Sequence, residues 1–306
     1  MSQNVSKQKN KEKEVQSLLN PKIDYVFKRI FGHAGNEDIT KSLLSSIIKD
    51  EISDITVDCN TITEKDLLDD KVGILDIKAK LNNNINCNIE MQVVDKKNIE
   101  KRLMFYWSKI YTMSIKSGDD YNQLEKGIVI LFTDFNLEKL RGINKFITKW
   151  NLREEENPKI ILTDVLEIYI IELSKGEELL KNMSKKEQSK NSFNTWLQFI
   201  NNPEAIVDME NKEVKKAKEV LEEISQNEHE RYRAELRQKY IMDQKAVEEA
   251  GFDKGLAAGI KQGIEQGIKQ KQIEIAKKLL KKGTKLEEII ELTDLTKEEI
   301  YSIKDK

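Results

Sequence analysis

Val72-Gly73-Ile74-Leu75-Asp76-Ile77-Lys78-Ala79-Lys80 and Ile85-Asn86-Cys87-Asn88-Ile89-Glu90-Met91-Gln92-Val93-Val94 decide how this chain folds. Both runs have strand length and strand-favouring residues. Asn82-Asn83-Asn84 lies between them, and asparagine tolerates the left-handed backbone that tight hairpins require. With those three residues as the loop, Asp76 falls opposite Glu90. Like charges directly opposite in a ladder are destabilising. A chain keeps such a pair more readily with a divalent cation between the carboxylates, and oxygen ligands suit Mg²⁺ or Mn²⁺.

Side chains alternate along a strand. In the second run Ile85, Cys87, Ile89, Met91 and Val93 share an apolar face, and Asn86, Asn88, Glu90 and Gln92 the other. In the first run Leu75, Ile77 and Ala79 oppose Ile74, Asp76 and Lys78. The alternation therefore groups Asp76, Lys78, Glu90 and Gln92 on one face. Two readings of that face stay open. It is a carboxylate metal site, or it is the solvated side of a half-exposed antiparallel sheet with Lys78 balancing the acids.

Outward from the hairpin the pattern is α/β. Residues 24–31 (DYVFKRIF), with Ile23 just before them, place Ile23, Val26, Phe27 and Ile30 at helical spacing, and Gly32 and Gly35 interrupt the run. A helix over 38–48 follows, with Ile39, Leu43, Leu44, Ile47 and Ile48 apolar. Residues 54–60 read as a short strand. Residues 98–116 read as a helix with Leu103, Trp107, Ile110 and Ser114 along one side, and Arg102 and Tyr106 four apart on one face. The continuous apolar run GIVILF at 127–132 has the character of a buried central strand, and 165–173 is a further strand. Helix, strands, helix and strand imply a mixed sheet flanked by helices.

Composition narrows the class. The 306 residues suffice for one large domain or two ordinary ones. Charged residues make up 35% but cancel to a formal net charge of -2, which argues against a generally basic nucleic-acid binder and leaves room for a local basic groove. Two cysteines, Cys59 and Cys87, are too few for a disulfide framework, and Cys87 reads as a buried strand residue. Neither HExxH nor CxxC spacing occurs, which argues against zinc. No apolar run reaches the roughly 18 residues of a membrane span. Residues 1–16 are polar and Lys-rich without the apolar core of a secretory signal. The expectation is a cytoplasmic protein with reduced thiols and no membrane partner.

The run Pro21-Lys22-Ile23-Asp24-Tyr25-Val26-Phe27-Lys28, the stretch from Gly73 to Lys80 and Asn88-Ile89-Glu90-Met91-Gln92-Val93 together resemble the Rpn family of recombination-promoting nucleases, also called PD-(D/E)XK nuclease family transposases. The resemblance continues through Arg102-Leu103-Met104-Phe105-Tyr106, Gly118, Tyr121, Glu172-Leu173 and the Gly-rich C-terminus. It implies an α/β, restriction-endonuclease-like core that hydrolyses DNA phosphodiesters with Mg²⁺ (or Mn²⁺ or Ca²⁺), and a link to recombination, mobile elements or phage defence. Asp76 matches the motif aspartate and Glu90 the following acid, the two metal ligands. Gln92 stands where the wider superfamily has lysine, a substitution this branch shares. Glutamine can orient a water but carries no charge, so the lysine's job is unassigned. Lys78 is the candidate to supply it; an exposed strand lysine is the plain alternative.

Sites of this superfamily often take a further acid from the helix before the hairpin. Asp24 is the first candidate and Glu37 the second. Asp24 can equally charge the first turn of its helix. Lys28, one turn on, can pair with it or contact DNA. Arg102 is a candidate for the DNA backbone or for holding the site; stacking on Tyr106 is the alternative. A catalytically silent DNA- or protein-binding relative, or an RNA-cutting toxin of the same fold, remain the competing functions.

The C-terminal third changes character. Residues 212–244 are charged and helical, and glycine then recurs every fourth residue at Gly251, Gly255, Gly259, Gly263 and Gly267. Each glycine costs a helix about 1 kcal/mol against alanine, which suggests a flexible or partner-dependent helix. Lys282-Gly283 ends a helix, Leu286 begins another, and Thr296-Lys297-Glu298-Glu299 is a capping signal for a third. The expected organisation is a tail at 1–19, a nuclease-like domain at 20–200 and a helical region at 201–306 that mediates homo-oligomerisation.

Overall fold

The computed structural model describes residues 17–48, 51–58, 62–63, 67–68, 76–95, 98–184, 191–205 and 210–304. Helices α1 (Asp24–Phe31) and α2 (Glu37–Ile47) lead into strands β1 (Ile55–Asp58), β2 (Ile77–Leu81) and β3 (Ile85–Gln92). Helix α3 (Ile99–Thr112) connects to β4 (Lys126–Thr133), followed by β5 (Ile147–Trp150) and β6 (Leu166–Glu172). The strands form one six-stranded mixed sheet in the order β1-β2-β3-β4-β6-β5. β3, β4 and β6 run parallel at its centre, while β1, β2 and β5 run antiparallel to their neighbours.

The hairpin has the register the asparagines predict. Ile77 pairs with Ile89 and Leu81 with Ile85. Asn82 and Asn83 take left-handed φ values of 51° and 60°, and Asn84 N donates to the Leu81 carbonyl at 3.2 Å. Asn82 also anchors the loop: its Oδ1 accepts from Ser53 N at 2.9 Å and Asp54 N at 3.2 Å, and its Nδ2 donates to Glu51 O at 2.8 Å. The first half of the expected 72–80 strand and Cys59 lie outside the described residues.

The two faces of the sheet are covered unequally. Ile77, Cys87, Ile89, Met91, Ile128, Ile130 and Phe132 pack into the main core with α1, α2 and later helices. Val129, Leu131, Leu166, Ile168 and Ile170 point the other way, against Ile99, Leu103 and Ile110 of α3. The polar face of β3 is therefore not solvated: Asn88, Glu90 and Gln92 are all buried. Helix α3 ends at Thr112, earlier than 116. Turns over 115–119 take over, with Lys116 N donating to Asp119 Oδ2 at 2.8 Å.

Three elements carry no expectation from sequence: β5, α4 (Leu173–Lys181) and α5 (Ser192–Asn201). β5 is a four-residue edge strand. Helix α5 buries Phe193, Trp196, Leu197, Phe199 and Ile200, and Asn191 caps it by accepting from Phe193 N at 3.0 Å. Helix α6 (Lys212–Gln226) adds Val214, Ala217, Leu221 and Ile224 to the main core. The charged helical stretch breaks at Asn227, whose Oδ1 accepts from His229 N and Glu230 N to start α7 (Glu228–Lys281).

The chain divides into two compact units, residues 1–242 and 243–306. In the second, α7 runs through all five periodic glycines, where an added Cβ would meet nothing within 4 Å. Gly283, at φ +74°, ends that helix. Helices α8 (Leu286–Thr293) and α9 (Lys297–Lys304) close a small core of Ala276, Ile289, Leu295 and Ile300. The expected capping box forms, with Thr296 N donating to Glu299 Oε2 at 2.8 Å and Glu299 N to Thr296 Oγ1 at 3.3 Å.

Candidate active site

The hairpin ladder brings Asp76 and Glu90 together. Ile77 faces Ile89 in the last β2–β3 pair, so one further residue puts Asp76 across from Glu90. Both side chains are more than nine-tenths buried. Burial raises the Asp76 pKa to about 6, against the pull of Asn88, Arg102, Lys28 and Lys78. Burial, then the charge of Asp76, raises Glu90 to about 8, with Arg102 opposing and Asp24 adding to the rise. The two carboxylates thus repel one another inside the protein. Asn88 is 1% exposed. Its amide favours the ionised Asp76, although its Nδ2 finds no hydrogen-bond partner of ordinary geometry.

Arg102 enters from α3. Its Nη2 donates to Glu90 Oε1 and, at 3.3 Å, to the Tyr106 hydroxyl, while Nη1 donates to Gln92 Oε1 at 3.2 Å. Its guanidinium also lies 5.7 Å from the Tyr106 ring centroid. It is stacked on an aromatic ring, and it is tied to the acidic cluster. Burial works against its charge most strongly, but Glu90, Tyr106 and Asp76 together outweigh it and raise its pKa. Gln92 donates from Nε2 to the Val94 carbonyl at 3.0 Å. Its amide is thus engaged at both ends and braces Arg102.

Asp24 and Lys28 come from α1, which packs on β3 from the main core. Asp24 sits near enough to raise the Glu90 pKa. It is held by Arg237 of α7, 213 residues along the chain. Arg237 Nε donates to Asp24 Oδ1 at 2.9 Å, Nη2 to Oδ2 at 2.6 Å, and Nη1 to the Leu67 carbonyl at 3.0 Å. Sequence reasoning missed Arg237 because a single arginine in a charged helical stretch carries no distinguishing signal. Lys28 is buried, 3% exposed, and does not offer its charge on the outer surface. Lys78 is half-buried on the ladder opposite Asn88 and Asp58. Glu37 stays local, accepting from Gly35 N at 2.9 Å.

Among the described residues no cluster of three or more His, Cys, Asp or Glu side chains forms a ready metal cage. Two carboxylates with polar neighbours nevertheless suit a hard ion such as Mg²⁺, which keeps several waters and takes one or two protein carboxylates. A cavity of about 570 Å³ lies between α3 and the β5–β6 side of the sheet.

A mixed six-stranded sheet flanked by helices, followed by a mostly helical C-terminal region, is the architecture of restriction-endonuclease-like proteins. The family model for PD-(D/E)XK nuclease family transposases matches residues 21–251, and the chain belongs to that family. Membership supports a nuclease-type function linked to transposition. No curated protein and no solved structure matches the chain. Among the described residues no helix is long and apolar enough to cross a membrane.

Proposed function

We propose that this protein is a divalent-metal-dependent DNA endonuclease whose metal ligands are Asp76 and Glu90. The observation that carries this reading is the buried, mutually repelling pair on adjacent strands, for which a cation is the natural complement. A bound Mg²⁺ or Mn²⁺ would lower the pKa of a water and polarise a phosphoryl oxygen. Glu90 would also accept the proton of that water. Arg102, fixed by Glu90, Gln92 and Tyr106, presents a charged donor to a phosphate oxygen. Asn88, buried beside Asp76, favours the ionised carboxylate that a cation would need.

The protein works, on this reading, in the cytoplasm and as a homo-oligomer assembled through its C-terminal helical region. Support for assembly comes from α7, where Phe252, Leu256, Ile260, Ile264 and Ile268 stand exposed at every fourth position.

Supercoiled-plasmid nicking tests the activity. Wild type should nick with Mg²⁺ or Mn²⁺ and not with chelator, and Asp76→Asn and Glu90→Gln should each abolish nicking while remaining folded. Folded wild type that cuts neither DNA nor RNA under any metal would refute the enzyme reading in favour of a binding protein. Cutting of RNA alone would reassign the substrate.

A further inference from the structure

Helix α3 buries Ile99, Leu103 and Ile110 against the sheet. At 3.6 residues per turn, Arg102, Phe105, Tyr106, Lys109 and Met113 share the adjoining flank, within about 100° of one another. We propose that this flank is a platform for the substrate strand, on which the Phe105 ring stacks with an unpaired DNA base beside the scissile phosphodiester. The inference rests on the nuclease reading above and names the substrate feature that the site takes, a base outside the duplex stack.

Place in the fold gives the first reason. Phe105 is 62% exposed, although phenylalanine is among the residues most often buried. A single exposed apolar residue is ordinary, but this one is joined to the acidic pair by a short chain of contacts. Its ring meets the Tyr106 ring edge to face, with centroids 5.8 Å apart. The Tyr106 hydroxyl accepts from Arg102 Nη2 at 3.3 Å, and the same nitrogen donates to Glu90 Oε1. Contact with Tyr106 thus fixes the Phe105 ring beside the site, and most of its surface stays open to a ligand.

Charge gives the second reason. The whole chain has a formal net charge of -2. Helix α3 nevertheless carries Lys101, Arg102 and Lys109 against one acid, Glu100, and that acid is paired with Lys139 at 2.6 Å. Arg102 and the exposed Lys109 bracket Phe105, about 10 Å apart along the helix axis. Cation, aromatic ring and second cation in a row suit a single strand, whose phosphates follow the cations while a base takes the ring. An apolar protein surface laid on Phe105 would have to desolvate both cations, which is costly. A base inside a duplex is stacked on both sides, so the base that meets Phe105 has left the stack.

Fluorescence anisotropy in chelator, which withholds the metal, measures binding to three DNAs of about 16 nucleotides per strand. They are a single strand, a perfect duplex, and a duplex with one unpaired base. Wild type should bind the single strand and the bulged duplex more tightly than the perfect duplex. Phe105→Ala and Phe105→Leu should weaken binding to those two by about five- to 150-fold, the worth of one stacked base, and to the perfect duplex by less than about twofold. Phe105→Trp should keep the preference, and its indole emission should be quenched by the unpaired base. Because Phe105 is exposed, all three variants should melt within about 2 °C of wild type.

Equal binding of the three DNAs by wild type overturns the proposal. So does a Phe105→Leu protein with the wild-type preference, which marks an apolar contact without stacking. Tight binding of the single strand alone supports the platform and makes free strands the source of the base; tight binding of the bulged duplex alone supports it with an extruded base. Wild type that prefers unpaired DNA through Phe105 yet nicks no plasmid under any metal upholds the platform and counts against the nuclease reading. Plasmid nicking by wild type with no effect of Phe105→Ala on any of the three DNAs upholds the nuclease and overturns the platform.

Discussion

Replacing Arg237 by methionine should be among the most damaging single changes in the first unit. Arg237 makes three contacts with the Asp24 carboxylate, at 2.6, 2.9 and 3.1 Å, and one with the Leu67 carbonyl at 3.0 Å. Its guanidinium also stacks 4.8 Å from the Tyr240 ring centroid. Methionine removes all of these and leaves Asp24 buried beside Glu90, whose pKa Asp24 already raises. Breaking a buried ion pair by deleting one partner costs about 3–5 kcal/mol. At about 2–4 °C per kcal/mol for a unit of this size, the melting temperature should fall by about 6–20 °C. Asp24→Asn should cost less, because it also relieves the repulsion on Glu90. The double replacement Asp24→Leu with Arg237→Met should regain part of the loss, since an apolar pair can stand in for a buried ion pair. Urea unfolding in chelator, followed through the buried Trp196, measures all three. Arg237→Met within about 1 kcal/mol of wild type, or an additive double replacement, would show that the pair carries no coupled stability.

Other outcomes follow from the same site and its supports. Asp76 and Glu90 have pKa values raised to about 6 and about 8, so between their unfolded values and these the folded, metal-free protein holds more protons than the unfolded chain. Stability in chelator should therefore fall as pH rises from about 4 to about 8. Added Mg²⁺ should stabilise most at the alkaline end, where both carboxylates are ionised. Thermal melts would check this, and an unchanged slope in Glu90→Gln would count against it. Asn82→Gly keeps the left-handed backbone but loses the bonds to Ser53, Asp54 and Glu51, and should cost about 1–2 kcal/mol in chemical unfolding. Asn83→Gly should change stability by less than about 0.5 kcal/mol; equal effects would contradict the anchoring role of Asn82. Gly255→Ala with Gly259→Ala enters open space, so helix content by circular dichroism should rise. Sedimentation should show weaker self-association if close helix approach uses those glycines, and unchanged association would exclude them from the contact.

Several elements were legible because one face decides them. Ile23, Val26, Phe27 and Ile30 mark α1 by helical spacing, the asparagines fix the hairpin register, and Thr296 with Glu299 announces a capping box. The burial of the β3 polar face was not legible from β3 itself. A strand that alternates polar and apolar residues looks the same whether water or a helix covers its polar side. The signal lay one strand over. Val129 and Leu131 in the run GIVILF are apolar on the same face as Asn88 and Glu90. That face therefore had to be covered, and the acids on it buried. The partner of Asp24 was invisible for a different reason. Contacts 213 residues apart leave no local pattern.

The charges around the hairpin come from separate parts of the chain. Asp76 and Glu90 lie on the hairpin, Asp24 and Lys28 on α1, Arg102 on α3 and Arg237 on α7. Buried carboxylates are tolerable only when such partners are in place, so the acidic cluster and the fold should assemble together. Helix α6 and the first turns of α7 then belong to the working unit. Val214, Ala217, Leu221 and Ile224 complete the main core, Glu230 accepts from Tyr25 Oη at 2.7 Å and Arg29 Nε at 2.8 Å, and Arg237 neutralises Asp24. A chain ending near residue 200 should lose this core face and the Asp24 partner together, and should neither melt cooperatively nor nick DNA. A chain ending after Met242 should keep both. Cooperative melting and full metal-dependent nicking by the shorter chain would show that the acidic cluster is sustained without α7.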